Sequence, residues 1–362
     1  MSEKINQVEP NISEEDIQRV NDYMSSGGWI TEHTLTKELE EKIADFVGRK
    51  YAVAVPNGTI AIYLSLLAAG LTAGKRVAVP NVTMVATINA IIWAGAEPVI
   101  IDLNERLCMS LKSLQTVEKL DGVIYVPLNG RTEDGIAIEN YCNEKNIILI
   151  EDSAHALGSK YQDKMCGSLG SMSIFSFTPH KIITMGQGGL VLTDDDSLYE
   201  YFINLKTFNR LKDKSDWHDG FGLNFKITDL QSALGLSQFE KINEFVKVKK
   251  EMFQIYKNSF EDYNFIDFFE YETPWFVDLI CASVRDRDSL KYLLEECNIL
   301  TRESYPALSK QSFLHSVEKT NLDFSENISE NILWLPSSTN LTKNQIAKVV
   351  DEIASFWAVK DF

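Results

Sequence analysis

The sequence is poor in the features that mark secreted, membrane-spanning and metal-binding proteins. No apolar run reaches the roughly 20 residues that a membrane helix needs, and "MSEKINQVEPN" has no apolar core or cleavage pattern, so we expect no signal peptide. The five cysteines are scattered, odd in number and without a CxxC pair, and the five histidines show no HExxH spacing. We therefore expect reduced thiols, a cytoplasmic location and no metal.

The chain also has fewer basic than acidic residues. The chain has 35 lysines and arginines against 52 aspartates and glutamates, a formal net charge of -17 at pH 7. Nucleic acids and anionic membranes attract basic surfaces, so we expect neither as a partner. An anionic small molecule remains compatible with this charge, because it needs only a local basic pocket.

What the sequence does contain, from about residue 50, is an alternation of short apolar, β-branched runs with helical patterns such as 59–69 and 136–145. Several runs are apolar at successive positions, which is typical of parallel strands covered on both faces. The pattern predicts an α/β domain over residues 1–240 with a central, mostly parallel, seven-stranded sheet. The strands are expected over 51–56, 76–80, 97–102, 122–128, 147–152, 172–177 and 188–194.

The pattern changes after about residue 240. Residues 238–263 form a long amphipathic helical pattern, shorter strand-like segments follow, and a last helix is expected after Thr342 as its N-cap. With 362 residues the chain is long enough for two domains. We expect a smaller C-terminal α+β domain over residues 241–362.

The stretch "SFTPHKIITMGQGG" places Lys181 between two predicted strands. A lysine in such a turn can form an imine with an aldehyde cofactor. Ser176, five residues earlier, could donate to a phosphate, and the glycines would permit close backbone approach. The alternative is a β-hairpin with a surface lysine at its tip.

Two other stretches carry possible ligand contacts. In "VAVPNGT" a strand gives way to a helix at Gly58 and Thr59, and a helix N-terminus with a nearby hydroxyl can bind an anion; a plain capped helix is the alternative. In "IILIEDSAHALGS" Asp152 ends a strand at the edge where α/β sheets bind ligands, so it either pairs with a ring nitrogen or caps the next turn. His155 either touches the same ligand or packs.

Together these residues supply the anchors that pyridoxal phosphate requires. Their order resembles the DegT/DnrJ/EryC1/StrS family of pyridoxal-phosphate sugar aminotransferases, within the fold-type-I aminotransferases. The resemblance extends to "SSGGWIT", "PNVTMVATINAI", "GLNFKITDLQSALGLSQF" and "LTRESYPAL". The "IIT.GxGG" form of the lysine motif is most similar to the perosamine-synthase-like branch. The resemblance implies a homodimer with shared active sites.

The resemblance also implies residue roles. Lys181 and Asp152 would be catalytic, the lysine as the Schiff-base and proton-transfer residue and the aspartate as the partner of the pyridine nitrogen. The cofactor-binding residues implied are Gly58, Thr59, Met84, Asp152, His155, Ser176, Lys181 and Asn224. Met84 stands where the family usually has an aromatic residue on the ring, and Asn224 would reach the neighbouring subunit's phosphate.

Substrate contacts are implied in three regions. Trp29 and Thr31 resemble residues that line the sugar site, and Arg302 and Tyr305 lie in the C-terminal motif. The loop "LKTFNRLKDKSDWHDGFG" offers further basic candidates, for each of which a solvated surface position is the alternative. These are Lys206, Arg210, Lys212 and His218.

The function implied is transfer of an amino group from L-glutamate to a nucleotide-linked keto-sugar, most simply a 4-keto-6-deoxysugar, in bacterial surface-glycan or natural-product biosynthesis. The alternatives are a small phosphorylated ketone as acceptor, a sugar dehydration, or a non-catalytic sensor. Dehydration is disfavoured because that branch replaces the lysine by histidine, whereas Lys181 keeps its spacing from Ser176. A nicotinamide oxidoreductase is disfavoured by the missing GxGxxG.

Overall fold

The computed structural model describes residues 4–260 and 264–360, and its centre is an eight-stranded sheet. In chain order the strands are β1 (Tyr51–Val55), β2 (Arg76–Pro80), β3 (Glu97–Ile101), β4 (Gly122–Tyr125), β5 (Ile148–Asp152), β6 (Lys160–Tyr161), β7 (Lys164–Met165), β8 (Met172–Ser176), β9 (Gly189–Thr193), β10 (Asn264–Phe265), β11 (Val277–Ile280), β12 (Arg302–Glu303), β13 (Glu318–Lys319) and β14 (Ile332–Leu335). The large sheet has the order β1-β9-β8-β5-β4-β2-β3-β13, and only β9 runs antiparallel to its neighbours.

Helices connect most of these strands. In chain order they are α1 (Glu14–Ser25), α2 (Thr34–Val47), α3 (Gly58–Ala68), α4 (Val85–Trp93), α5 (Leu111–Leu114), α6 (Gly135–Lys145), α7 (Asp196–Lys206), α8 (Asp229–Glu240), α9 (Ile242–Ser259), α10 (Val284–Glu296), α11 (Asp323–Asn331) and α12 (Lys343–Lys360). Among the described residues, no helix has both the length and the apolar character that crossing a membrane requires.

The strands of the large sheet are apolar on both faces because helices cover both faces. In β1, Val53 and Val55 pack into a core shared with α3 and α4, whereas Ala52 and Ala54 pack into a core shared with α2 and α8. Alternate residues of one strand thus enter two different cores, which explains the continuous apolar runs in the sequence.

The predicted α/β fold with a mostly parallel sheet is confirmed, and all seven predicted strands are present. The largest boundary error is at β4, which ends at Tyr125 before a 3₁₀ turn at Leu128–Gly130. The number of strands was wrong, because β13 pairs in parallel with β3 and adds an eighth. Its two residues, Glu318 and Lys319, are exposed and charged, so they give no apolar signal.

A second sheet, of order β10-β11-β14-β12, is antiparallel throughout. It shares a core with α9, α10 and α12. The long helical pattern predicted over 238–263 is interrupted at Lys241, between α8 and α9, and residues 261–263 lie outside the described ranges. Thr342 does cap α12, since it accepts a hydrogen bond from the Gln345 N–H at 3.2 Å. The domain division at residue 240 stays a prediction.

A buried ion pair joins the two sheets. Arg131, in the segment after β4, lies 2.6 Å from Asp278 of β11, and both side chains are completely buried. Asp278 also accepts hydrogen bonds from Asn129 Nδ2 at 2.8 Å and Trp334 Nε1 at 2.6 Å. Trp334 in turn packs edge-on against Tyr305, with ring centroids 4.9 Å apart.

We expect Asp278→Ala to destabilise the protein by about 3–5 kcal/mol, because it leaves the Arg131 charge buried without its partner. The shift in the urea unfolding midpoint measures this loss. Lys50→Ala is the control, since it removes an exposed pair with Asp196 that water screens. Equal shifts in the two variants would contradict the role given to the buried pair.

Candidate active site

A cavity of about 430 Å³ lies at the carboxyl edge of the large sheet. Its walls come from the segments that follow β1, β2, β5 and β8, which is where open α/β sheets bind ligands. The structure brings most of the predicted site residues to this cavity. They are Gly58, Thr59, Met84, Asp152, His155, Ser176, Lys181, Arg302 and Tyr305.

One end of the cavity is formed by the start of α3. The Asn57 Oδ1 atom accepts a hydrogen bond from the Ile60 N–H at 3.0 Å and fixes the first turn of the helix. A Cβ atom at Gly58 would lie 3.0 Å from Ser176 Cβ and 3.4 Å from Ser176 Oγ. A larger residue at position 58 would have to push Ser176 away by a few tenths of an ångström, so glycine favours the close approach of the helix N-terminus and the Ser176 hydroxyl. The pair forms an uncharged cradle suited to an anion.

Asp152 lies at the floor of the cavity, at the end of β5, and is buried. Its Oδ2 atom accepts a hydrogen bond from Thr87 Oγ1 at 2.8 Å, and its Oδ1 atom accepts one from the Ala154 N–H at 3.2 Å. Burial raises the pKa of the carboxyl, while these two hydrogen bonds and the Lys181 amine oppose the rise. The site therefore holds the carboxyl group in a fixed orientation, facing the cavity.

Lys181 follows β8 after a turn in which its N–H donates to the Thr178 carbonyl at 3.0 Å. Its side chain is half-buried and lines the cavity, and its Nζ atom lies 4.1 Å from the centroid of the Trp275 ring. Burial of the amine among protein atoms lowers its pKa to about 7; the Arg302 charge acts in the same direction and the Asp152 charge in the opposite one. A large fraction of the amine is therefore neutral, hence nucleophilic and basic, at neutral pH.

The alternative for residues 176–189 was a β-hairpin with a surface lysine at its tip. The strand pairing of that alternative is correct, but the surface position of Lys181 is wrong. β8 and β9 do pair antiparallel, with Ser176 opposite Gly189. The connection between them folds over the cavity, however, and Lys181 is not at an exposed tip. A Cβ atom at Gly189 would lie 2.5 Å from the Asn57 carbonyl carbon, so this glycine permits the close contact between β9 and the segment after β1.

His155 is buried beside the lysine. Its ring stacks on Trp275 with centroids 4.0 Å apart and an interplanar angle of 20°, and its Nε2 atom is 3.5 Å from the Tyr305 hydroxyl. Burial holds its pKa well below the ordinary value, so the imidazole is neutral at pH 7. Its Nδ1 atom is buried and has no hydrogen-bond partner among the described residues. Such atoms are costly, so a bound polar group is expected there.

Six predicted residues lie away from this cavity, and their roles stay predictions. They are Trp29, Thr31, Arg210, Lys212, His218 and Asn224. Trp29 Nε1 donates to Thr31 Oγ1 at 3.0 Å, Arg210 pairs with Asp216 at 3.3 Å, and His218 Nδ1 lies 2.8 Å from the Phe208 carbonyl. Asn224 forms a β-bridge with Thr207.

The interpretation of Lys206 as a basic residue at the mouth of the site was wrong. Its side chain is buried, and its Nζ atom lies 2.9 Å from both a Glu32 carboxylate oxygen and the Ala54 carbonyl. A second carboxylate, that of Glu40, is 3.5 Å away. Lys206 therefore neutralises two carboxylates between α2, β1 and α7 and is not available to a ligand.

The structure also adds two residues that the sequence analysis missed. Thr87 is one helical turn after Met84 in α4, and this spacing within "VTMVATINAI" was a usable signal. Trp275 lies two residues before β11, far along the chain from the motifs, and no local pattern indicated that it would reach the cavity.

Comparison with known proteins identifies relatives over almost the whole chain. Residues 10–354 match the model of the DegT/DnrJ/EryC1/StrS aminotransferase family. The chain is 31% identical over 363 residues to the GDP-perosamine synthase of Escherichia coli O157:H7, covering 97% of this chain and 98% of that protein.

Solved structures show the same fold. Helicobacter pylori PseC, an aminotransferase involved in pseudoaminic acid biosynthesis, matches with a TM-score of 0.93 at 22% identity, over 99% of this chain and 100% of that one. The PLP form of the putative sugar aminotransferase Spr1654 from Streptococcus pneumoniae matches with a TM-score of 0.90 at 22% identity, over 98% of each chain.

We predict that Lys181 in the ligand-free protein titrates near pH 7, and that Asp152→Asn moves this midpoint to lower pH, because the Asp152 charge raises the pKa of the amine. Acylation of the Lys181 peptide, followed by mass spectrometry from pH 5 to pH 10, measures it. Lys37, whose side chain is 76% exposed, serves as the internal reference for the reagent. A midpoint near the ordinary 10.5, or one that the variant leaves unchanged, would refute the electrostatic description.

Proposed function

Because the chain belongs to the DegT/DnrJ/EryC1/StrS aminotransferase family, we propose that it is a pyridoxal-phosphate enzyme that transfers the amino group of L-glutamate to a nucleotide-linked keto-sugar. The family and the enzyme class predicted from the sequence are confirmed by the family match. The relative named GDP-perosamine synthase supports a nucleotide-linked sugar as the acceptor, and a 4-keto-6-deoxysugar is our proposal for it. The observation that carries the proposal is the half-buried Lys181 amine in a cavity that also holds the Asp152 carboxylate and an anion cradle.

The residues present fit pyridoxal phosphate. The start of α3 and Ser176 would hold the phosphate, Asp152 would pair with the pyridine nitrogen, and Lys181 would hold the aldehyde carbon. The unpartnered Nδ1 atom of His155 would meet a polar atom of the ring. When bound, this cofactor supplies an aldehyde that condenses with primary amines and a ring that withdraws electrons from the bond to be broken.

Met84 departs from the aromatic residue that the resembling enzymes place on the ring. It is the N-cap residue of α4, lines the cavity and is 42% exposed. A thioether packs favourably against an aromatic face. We therefore assign Met84 the same packing role.

Proton transfer is the part of the reaction that this chain's own residues perform. Because the pKa of Lys181 is about 7, its free amine can accept a proton near neutral pH from the substrate carbon that bears the nitrogen. It can then donate this proton to the carbon on the other side of that nitrogen. Asp152, held by Thr87 and the Ala154 N–H, stabilises positive charge on the opposite side of the cavity. Arg302 and Tyr305 also line the cavity, where they would contact the substrate.

The remaining predicted residues would act in the neighbouring site of a homodimer. Trp29 is 67% exposed, Trp217 is 63% exposed and Phe221 is 74% exposed, and exposed aromatic side chains of this size are typical of subunit interfaces. A β-bridge from Thr31 to Thr228 ties the Trp29 segment to the chain just after Asn224. Light scattering should give twice the chain mass of 41.0 kDa, and a monomer would contradict shared sites.

The proposal also includes a cellular location and a class of pathway. We place the enzyme in the cytoplasm and in the biosynthesis of a bacterial surface glycan or a natural product. The amino-sugar product of a nucleotide-linked substrate remains activated for transfer to such a glycan.

Nitrogen-15 glutamate tests the function directly. We expect mass spectrometry to find the label in the amino sugars formed from nucleotide-linked 4-keto-6-deoxysugars. We expect Lys181→Ala to reduce transfer by at least about 100-fold, because it removes the proton-transfer group. Lys37→Ala, at an exposed site, should leave transfer unchanged. The acceptor panel also contains 3-keto-sugar nucleotides and a small keto-phosphate.

The other outcomes correspond to the alternatives. Label in the small keto-phosphate alone would replace the sugar assignment. Loss of water from the sugar without labelled nitrogen would indicate a dehydratase. Cofactor binding without transfer to any acceptor would indicate a sensor.

A further inference from the structure

We propose that Trp275 is a positioning residue for Lys181, and that its indole face holds the free ammonium of the lysine between proton-transfer steps. The inference rests on the proposed function only for the role of Lys181. The contact itself is a feature of the protein alone.

Two contacts link Trp275 to the lysine. The Lys181 Nζ atom lies 4.1 Å from the centroid of the indole, inside the roughly 6 Å range of a cation–π interaction. The indole Nε1–H donates to the carbonyl of His180 at 2.7 Å, so the ring is also bonded to the residue that precedes the lysine. The turn and the amine it carries are therefore held by the same side chain.

Trp275 is itself held firmly. Its backbone N–H donates to the Asn129 carbonyl at 3.0 Å, and its own carbonyl accepts from Lys249 Nζ at 2.7 Å. The His155 ring stacks on it with centroids 4.0 Å apart. Its backbone is thus fixed, and with only 4% of its surface exposed the indole cannot turn away without breaking the stack on His155 and the hydrogen bond to the His180 carbonyl. It is a fixed support, supplied from outside the large sheet, for a side chain that must move.

The physical consequence concerns the protonated form of the lysine. Removal from water disfavours the ammonium, whereas the negative face of an aromatic ring favours it. A leucine at position 275 would keep the site apolar and remove the ring, so the pKa of Lys181 should fall further. A phenylalanine would keep a ring face and lose only the N–H donor, so the pKa should stay near that of the wild type.

The test compares Trp275→Leu and Trp275→Phe in the ligand-free full-length chain. The pH dependence of acylation of the Lys181 peptide is expected to move down by about one pH unit in the leucine variant, a shift in keeping with a desolvated cation–π contact. The phenylalanine variant is expected to retain the wild-type midpoint. Phe276→Leu is the matched control, because Phe276 stacks on Trp275 but has no described contact with Lys181.

A purely structural tryptophan would give a different result. A leucine variant with the wild-type midpoint, or a phenylalanine variant that shifts as far as the leucine variant, would overturn the proposal. If the leucine variant does not fold, a phenylalanine midpoint shifted by a full pH unit would still overturn it, and an unshifted one would support it. Because this readout does not depend on turnover, failure of amino transfer to keto-sugars would overturn the proposed function and leave the inference standing.

Discussion

The constraint on which the site depends is that a primary amine must lose its proton near neutral pH and still be held in place. A lysine in water is almost fully charged at pH 7. Here burial lowers the pKa of Lys181 to about 7, while the Asp152 carboxylate and the Trp275 ring keep the ammonium from becoming too unfavourable. The cost of removing the ammonium from water is partly offset by its attraction to Asp152 and Trp275. A small change in either effect should therefore shift the pKa and the reactivity of the amine.

This balance requires both sheets of the protein. The large sheet supplies Asp152 and Lys181 from the ends of adjacent strands, β5 and β8. Trp275 and Tyr305 come from segments next to the second sheet, where Tyr305 packs on Trp334. The buried pair of Arg131 and Asp278 ties the two sheets together, and Asp278 also accepts a hydrogen bond from the indole of Trp334. Stability in this region and geometry in the cavity are therefore coupled.

Much of this arrangement could be predicted from the sequence. The seven strands gave clear signals because every one carries apolar residues into two cores, and Lys181, Asp152 and Ser176 follow strands whose ends must meet at one edge. Trp275 could not be predicted, because its contact with the lysine spans almost a hundred residues and depends on how the second sheet docks. β13 was missed because two exposed, charged residues have no periodicity.

Lys206 is the opposite case, because the sequence indicated a ligand-binding role that the structure does not support. In sequence it stands among other basic residues of a polar loop, a pattern that favours a solvated or ligand-binding surface. In the structure it is the last residue of α7, and it lies between two carboxylates that are distant in sequence. Local charge therefore did not reveal the partners that decide its burial.

Borohydride reduction of the purified enzyme, with peptide mapping by mass spectrometry, shows directly which lysine holds the cofactor. Lys249 is the informative competitor, because burial lowers its pKa to about 7 as well, yet it donates to the Trp275 and Ser337 carbonyls and does not line the cavity. We expect the pyridoxyl group on the peptide that contains Lys181. Its recovery on the Lys249 peptide, or on none, would show that Lys181 is not the lysine that binds the cofactor.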